Sequence, residues 1–394
     1  MKELIVASSW DNSLIDGFAE FPQVKWIFCK LDADIIGGGR TSPSLPKITH
    51  KQAKEHIQFA QSKGIKCNYL YNASCLGNQE FDGKAHKQII QELDWTVHEL
   101  QVEGITVSNN YLFRLLRRRY PKLKVGLGVF SKIWNLELFK YYEDCGAAWI
   151  TVLNSFYRDL PFMEKLRKKI KCDLHIMVNL PDLPWCPHQL YHANNLGHKS
   201  QSSNKTNKSW EDYCAWDCIK TKIEDPKLLL KSDYVRPEDL TVYKQMGYKH
   251  FKIVGRTKST EWILAAVKAY HDEKYKGNLL DIVPLGILAD KQGACNDASK
   301  NFTKYFRKNY DKDKNWMKLY TGRYQDGVPF IDNQELDGFL KKQAPGLCNA
   351  TECNDCGKCD KIFKKAIKFK NPKITKQLKA NLQDSLDAFL RNKL

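Results

Sequence analysis

From Glu3 to about residue 272, short unbroken apolar runs alternate with amphipathic stretches, and the alternation repeats eight times. Residues 3–8, 26–29, 66–71, 104–107, 124–129, 148–152, 173–178 and 250–254 read as strands. These runs are continuously apolar instead of alternating in polarity, as expected for strands of a parallel sheet covered by helices. Between them, helical periodicity is expected near 50–63, 84–100, 110–119, 134–145, 158–170 and 259–272. Thr49 can cap the first of these, and Gly64 can stop it. Pro237 suits the first turn of a further helix running to Met246. Eight strand–helix units are the count of a (β/α)8 TIM-like barrel, so the expected class is α/β with the barrel over 1–275. An open doubly wound sheet is the alternative. No Gly-x-Gly-x-x-Gly follows the first strand, which weakens that alternative and its dinucleotide chemistry.

In such a barrel the chemistry sits at the C-terminal ends of the strands. Those ends carry Asn72, Asn109, Asn154, Asn179, Arg256 and, after the second strand, Gly37-Gly38-Gly39-Arg40. A guanidinium offers paired donors, so Arg40 and Arg256 can clamp a carboxylate or phosphate, or tie rim loops through salt bridges. The four asparagines can bind substrate or cap helices.

The strand–helix rhythm breaks twice. An insert at 181–233 separates the seventh strand from the eighth and holds Cys186, Cys214 and Cys218. Beyond 275, residues 276–345 read as an irregular extension. Residues 346–394 combine Cys348, Cys353, Cys356 and Cys359 with a basic stretch whose Leu378, Leu382, Leu386 and Leu390 recur every four residues. That spacing makes one face of a helix, suited to docking on the barrel or lying on RNA. The C-x4-C-x2-C-x2-C group lets consecutive thiolates converge on one centre, a [4Fe–4S] cluster or, alternatively, zinc. The insert trio is one thiol short of a full set. Cys75, His188, His192 or Asp182 can complete it, or the position stays open for substrate. Cys29, Cys67, Cys145 and Cys172 read as buried small hydrophobes, and Cys295 receives no role.

The chain has 63 Lys+Arg against 45 Asp+Glu, a net charge of +18. Such a balance favours polyanions, RNA above all, or small anions, unless it is only a solvated lysine-rich surface. DNA is not expected. No apolar run approaches the roughly 18 residues needed to span a bilayer. The N-terminal apolar stretch is too short for a signal peptide, so a cytoplasmic location is expected.

The segment Arg236-Pro-Glu-Asp-Leu…Gly247-Tyr-Lys-His-Phe-Lys-Ile-Val-Gly-Arg256, together with a cysteine-bearing insert after the seventh strand, resembles the peptidase U32 (collagenase-like) superfamily. The resemblance covers about residues 1–275. It implies a barrel, cluster ligation by Cys186, Cys214 and Cys218, and motif roles for Lys252 and Arg256. It also implies oxygen-independent hydroxylation of a small aromatic or an RNA base, with prephenate as a small anionic co-substrate. Val254 stands where the family usually has Glu, and the family's His-Gly-Ala-Leu-Cys segment is Asn179-Leu-Pro-Asp-Leu-Pro-Trp-Cys here. The expected function is therefore an iron–sulfur redox enzyme holding two [4Fe–4S] clusters, with Arg256, Lys252 and Arg40 as catalytic candidates. The alternative is a non-catalytic cluster- or zinc-bearing subunit that pairs with a related protein or with RNA. A peptidase, the family's older description, finds no Ser/His/Asp spacing, no His-Glu-x-x-His and no catalytic cysteine context in this chain.

Overall fold

The computed structural model describes residues 2–183, 186–207, 209–286, 315–320, 322–340 and 358–392. Eight parallel strands close into a barrel in chain order: β1 (Glu3–Ala7), β2 (Val24–Cys29), β3 (Lys66–Tyr71), β4 (Gly104–Val107), β5 (Lys124–Leu127), β6 (Trp149–Thr151), β7 (Asp173–Met177) and β8 (His250–Ile253). β1 pairs β8, with Ile5 opposite Lys252, and this closes the ring.

Outward positions such as Leu4, Ile27, Cys67, Ile105 and Ile176 pack under the surrounding helices. Inward positions form a separate cluster of Ile5, Ala7, Phe28, Leu70, Met177 and Val254. The lower interior is polar and aromatic. Asn68 and Thr106 exchange hydrogen bonds, Trp149 Nε1 donates to Thr106 at 3.1 Å, and the Trp149 ring stacks on His175 with centroids 5.5 Å apart. Gly126 makes room for that indole, because a Cβ there would stand 2.1 Å from Trp149 Nε1. The lower half of the barrel is thus plugged by side chains, and a cavity opens at the C-terminal end.

The outer helices are α1 (Asn12–Gly17), α2 (His50–Ser62), α3 (Gly83–Asp94), α4 (Asn110–Arg119), α5 (Leu136–Asp144) and α6 (Leu160–Lys169). The expected helix over 84–100 ends early. Its last turn, Trp95–Glu99, opens into a π-turn where the Thr96 hydroxyl donates to the Glu92 carbonyl, a side-chain intrusion that widens the ladder.

The insert forms α7 (Gln189–His198), α8 (Tyr213–Glu224) and α9 (Lys227–Lys231). The chain then returns through α10 (Leu240–Gln245) to β8 and α11 (Thr260–Asp272). In the extension, β9 (Phe330–Ile331) pairs antiparallel with β10 (Ile367–Lys368), and α12 (Lys358–Ala366) and α13 (Pro372–Leu390) complete the described elements.

The leucine face of α13 is buried at Leu378, Leu382 and Leu386, while Leu390 is exposed. It docks on insert helix α8, with Phe389 5.4 Å from the Tyr213 ring, and on the extension turns Asn315–Tyr320 and Gln325–Gly327, so among the described residues its main partners are the insert and the extension, not the barrel helices. Arg236 anchors the extension. Its Nε donates to Asn333 Oδ1 at 2.8 Å, Nη1 to the Leu336 carbonyl, and Nη2 to the Asn333 carbonyl and the Asp337 carboxylate. Cys348, Cys353, Cys356 and Cys295 lie outside the described residues. Cys359 lies in α12, half-buried. Among the described residues, no helix is long and apolar enough to cross a membrane.

Candidate functional site at the barrel mouth

The insert arches over the C-terminal ends of the strands and encloses a cavity of about 280 Å3. Strand-end loops form its floor, through Arg40 after β2, Lys132 after β5, Asn154 after β6, Asp182 after β7 and Gly255 after β8. Cys186, His192, Cys214, Cys218 and Lys222 of the insert form its roof.

Three sulfur atoms face this space because α8 sets Cys214 and Cys218 one turn apart. Residues four apart share a helix face, and Trp216, Ile219 and Ile223 hold that helix in the core. Asp212 caps α8 by accepting from the Ala215 amide at 3.0 Å, and its other oxygen lies 3.3 Å from His192 Nε2. Burial pushes the Asp212 carboxyl up, but His192, the Ala215 amide and Lys199 outweigh it and hold the group below the usual carboxylate value. The thiols move the other way. Burial, then Asp212 and Cys186, pushes Cys214 up to about 12. Burial also raises Cys186, which Cys218 raises further, and Cys218 itself. The trio is close enough for mutual electrostatic influence, and its soft donors suit a thiolate-bound centre in type. It is not gathered at ligand spacing: among the described residues, no three His, Cys, Asp or Glu side chains stand together as a metal site. Cys75 does not join it. That residue is absent from the cavity wall, and its Sγ accepts from the Gly77 amide at 3.3 Å. His188 Nε2 lies 3.0 Å from Asp217.

The cations are placed by two loops. Gly37 takes a φ of 84°. A Cβ on Gly38 would meet Lys30 Cδ at 2.5 Å, so the glycine run can lie flat on Lys30 and deliver Arg40 to the cavity. Lys252 projects inward from β8 with its ammonium 4.1 Å from the Phe28 ring centroid. Burial, then Arg256 and Arg40, pushes Lys252 down to about 7. Arg256 is 5% exposed, its Nη1 has no hydrogen-bond partner, and burial and Arg40 push it down to about 9. The salt bridge that would tie Arg256 to a rim loop is absent among the described residues.

Of the four asparagines, only Asn154 lines the cavity. It donates to Asp182 Oδ2 at 3.1 Å, and its buried Oδ1 lacks a partner. Asn72 instead accepts from the Gly39 amide at 3.1 Å and holds the glycine loop. Asn109 caps α4 through the Tyr111 and Leu112 amides. Asn179 accepts from Val254 N–H and donates to the Val254 and Ile282 carbonyls, stitching the ends of β7 and β8. These three positions therefore bind the protein itself.

Two cavity groups escaped the sequence reading. Lys132 stands in left-handed backbone at φ 48° and donates to Gln189 Oε1 at 3.0 Å. Asp233, at the end of the insert, is 4% exposed, and burial, then Asp182, pushes it up to about 7.

Comparison with known proteins gives one consistent match. The sequence model of Peptidase family U32 matches residues 39–306. A curated relative, an uncharacterized protease of Methanocaldococcus jannaschii, is 25% identical over 340 residues, covering 86% of this chain and 87% of the relative. A solved structure of a U32 peptidase superposes with a TM-score of 0.48 at 16% identity, over 65% of this chain and 93% of that one. A maltogenic α-amylase from Thermotoga neapolitana gives a TM-score of 0.31 at 10% identity, over 62% of this chain and 75% of that one.

Proposed function

The chain belongs to peptidase family U32, and from that premise we propose an iron–sulfur-dependent redox enzyme whose substrate is held at the barrel mouth. The observation that carries this reading is that Cys186, Cys214 and Cys218 line the same cavity as Arg40 and Asn154. Those three thiols are the residues that would hold the cluster. When bound, it supplies one-electron chemistry of a kind that side chains alone do not provide. The chain's own residues prepare the space. Leu153, Leu180, Leu183, Ile219 and Val254 make much of the wall apolar and exclude water. Asn154 Oδ1 and the Asp233 carboxyl offer a hydrogen-bond acceptor and a proton-exchanging group. Arg40 and Lys132 favour a negatively charged ligand.

The cavity lies near the lower bound of small-molecule sites, roughly 300 Å3, so it fits one ring and not a folded macromolecule. A small aromatic acid, or a single RNA base drawn out by a chain of net charge +18, meets that limit. A cysteine peptidase fits less well. Its nucleophile needs a lowered pKa or a hydrogen-bonded base, whereas burial raises all three thiols and both neighbouring imidazoles face carboxylates. A scaffold subunit is disfavoured by the open mouth.

The test is iron, zinc and acid-labile sulfide content of anaerobically purified protein. Iron with matching sulfide is expected. If the C-terminal group holds a second cluster, half should be lost in Cys186→Ala and half in Cys356→Ala. Zinc without sulfide in the wild-type protein overturns the redox reading.

A further inference from the structure

Two of the buried carboxylates are matched within the protein. Asp34 pairs with Lys30 and accepts from the Ile36 and Gly37 amides, and Asp212 accepts from the Ala215 amide and faces His192. Asp233 differs. It is 4% exposed and lines the cavity, yet its carboxyl accepts no hydrogen bond and forms no ion pair among the described residues. The cations whose fields reach it are engaged elsewhere: Lys132 donates to Gln189, Lys222 to the Pro181 carbonyl and Arg158 to the Ser232 carbonyl. A second unmatched group stands in the same wall. Asn154 is 3% exposed, its Nδ2 donates to Asp182 Oδ2, and its Oδ1 has no partner. The Asp233 amide in turn donates to the Asp182 carbonyl at 3.1 Å, so Asp182 ties the two together. Buried polar groups without partners are unfavourable and uncommon. Both of these are acceptors, and a carboxylate beside an amide oxygen calls for a donor that carries positive charge.

We propose that Asp233, Asn154 and Asp182 form a binding site for a small organic cation, an ammonium or amidinium group carried on an apolar ring. The nitrogen donates to the Asp233 carboxylate and to Asn154 Oδ1, and Asp182, which is exposed, adds a second negative charge. Leu153, Leu180 and Ile219 of the same wall receive the ring. An acid on that ring, which Arg40 and Lys132 favour, makes the full ligand zwitterionic. The inference rests on the proposed function's reading of the mouth as a small-molecule site. It stands without the iron–sulfur centre, because none of the three residues is a cluster ligand.

A proton should leave as the cation arrives. The charged groups reaching Asp233 are Asp182 after β7, Arg158 ahead of α6, Lys222 on α8 and Lys132 after β5, and the Tyr157 and Tyr243 hydroxyls face it as well. Burial, then Asp182, raises the carboxyl to about 7 against the pull of the three cations. A bound cation favours the ionised form. Binding should therefore release a proton near and below pH 7, and affinity should fall as pH drops through that value.

The experiment is a ligand-observed NMR titration with benzylamine and with benzyl alcohol, its neutral counterpart of similar shape, on wild type, Asp233→Asn, Asn154→Ala and Cys186→Ala. At pH 8, wild type and Cys186→Ala should bind the amine about tenfold or more tightly than the alcohol. Asp233→Asn should bring the two probes to similar affinity and leave the alcohol unchanged, while melting no lower than wild type. Asn154→Ala should weaken amine binding about fivefold. On wild type alone, amine affinity should fall by up to about tenfold per unit below pH 7, with the alcohol unaffected. Equal affinity for the two probes in wild type overturns the site. So does an amine preference that survives in Asp233→Asn, or a flat pH profile. Loss of the preference in Cys186→Ala alone moves the amine to the thiols and likewise overturns the site. Zinc without sulfide, which ends the redox reading, leaves the amine preference in place.

Discussion

Arg236 and Arg256 close the two ends of one segment, and both are buried almost completely. Their surroundings are opposite. Arg236 saturates its donors on Asn333, Leu336 and Asp337, with Glu238 at 3.3 Å as well, and so fastens the extension to the barrel. Arg256 leaves Nη1 unmatched and faces Arg40 and Lys252. Equal burial therefore does not imply equal work: one guanidinium is committed to the protein, and the other keeps a buried donor unmatched among the described residues. The strand-end amides repeat the contrast. Asn179 makes three bonds to its own chain, whereas Asn154 leaves a buried oxygen without a partner.

The comparison breaks if the two arginines respond alike to removal. Arg236→Ala should lose roughly 3–5 kcal/mol of stability in urea unfolding, because buried acceptors and a carboxylate lose their partner together. Asn179→Ala should lose roughly 1–3 kcal/mol. Asn154→Ala, read in the same experiment, should change stability by less than about 1 kcal/mol, since it gives up one bond at a cavity wall. The pH dependence at Lys252 carries the sharpest sign. Unfolded Lys252 has the ordinary lysine pKa, near 10.4, and the folded group lies near 7. Between those values the unfolded chain binds more protons, so stability rises with pH. The penalty is fully present below pH 7 and is relieved on approach to pH 10. Lys252→Met should therefore exceed wild type most below pH 7, with the advantage shrinking toward pH 10. An advantage independent of pH would place the ammonium in a solvated setting and remove the contrast with Lys30.

The barrel was legible in the sequence because each strand is an apolar run covered on its outer face and its turn ends in polar residues. Helix α4 falls at the expected 110–119 because Asn109 is a strong cap ahead of an amphipathic run. The insert was harder to read. Its His, Asn, Ser and Lys content suits a loop, but Tyr213 and Trp216 of α8 pack on Phe389 of the distant α13, a partner the local sequence does not announce. Lys252 and Arg256 could be named from their motif, but their lack of partners could not, since that depends on which carboxylates the fold leaves out of reach. Lys132 and Asp233 had no local signal at all. The first depends on a left-handed backbone, and the second on burial beside Asp182.

The packing of α13 on α8 has a consequence in time. A ribosome finishes all eight strands, and so the ring itself, well before it makes the helix whose Phe389 packs on the Tyr213 and Trp216 rings. During synthesis there is an interval in which a closed barrel carries α8 with those two rings uncovered by Phe389.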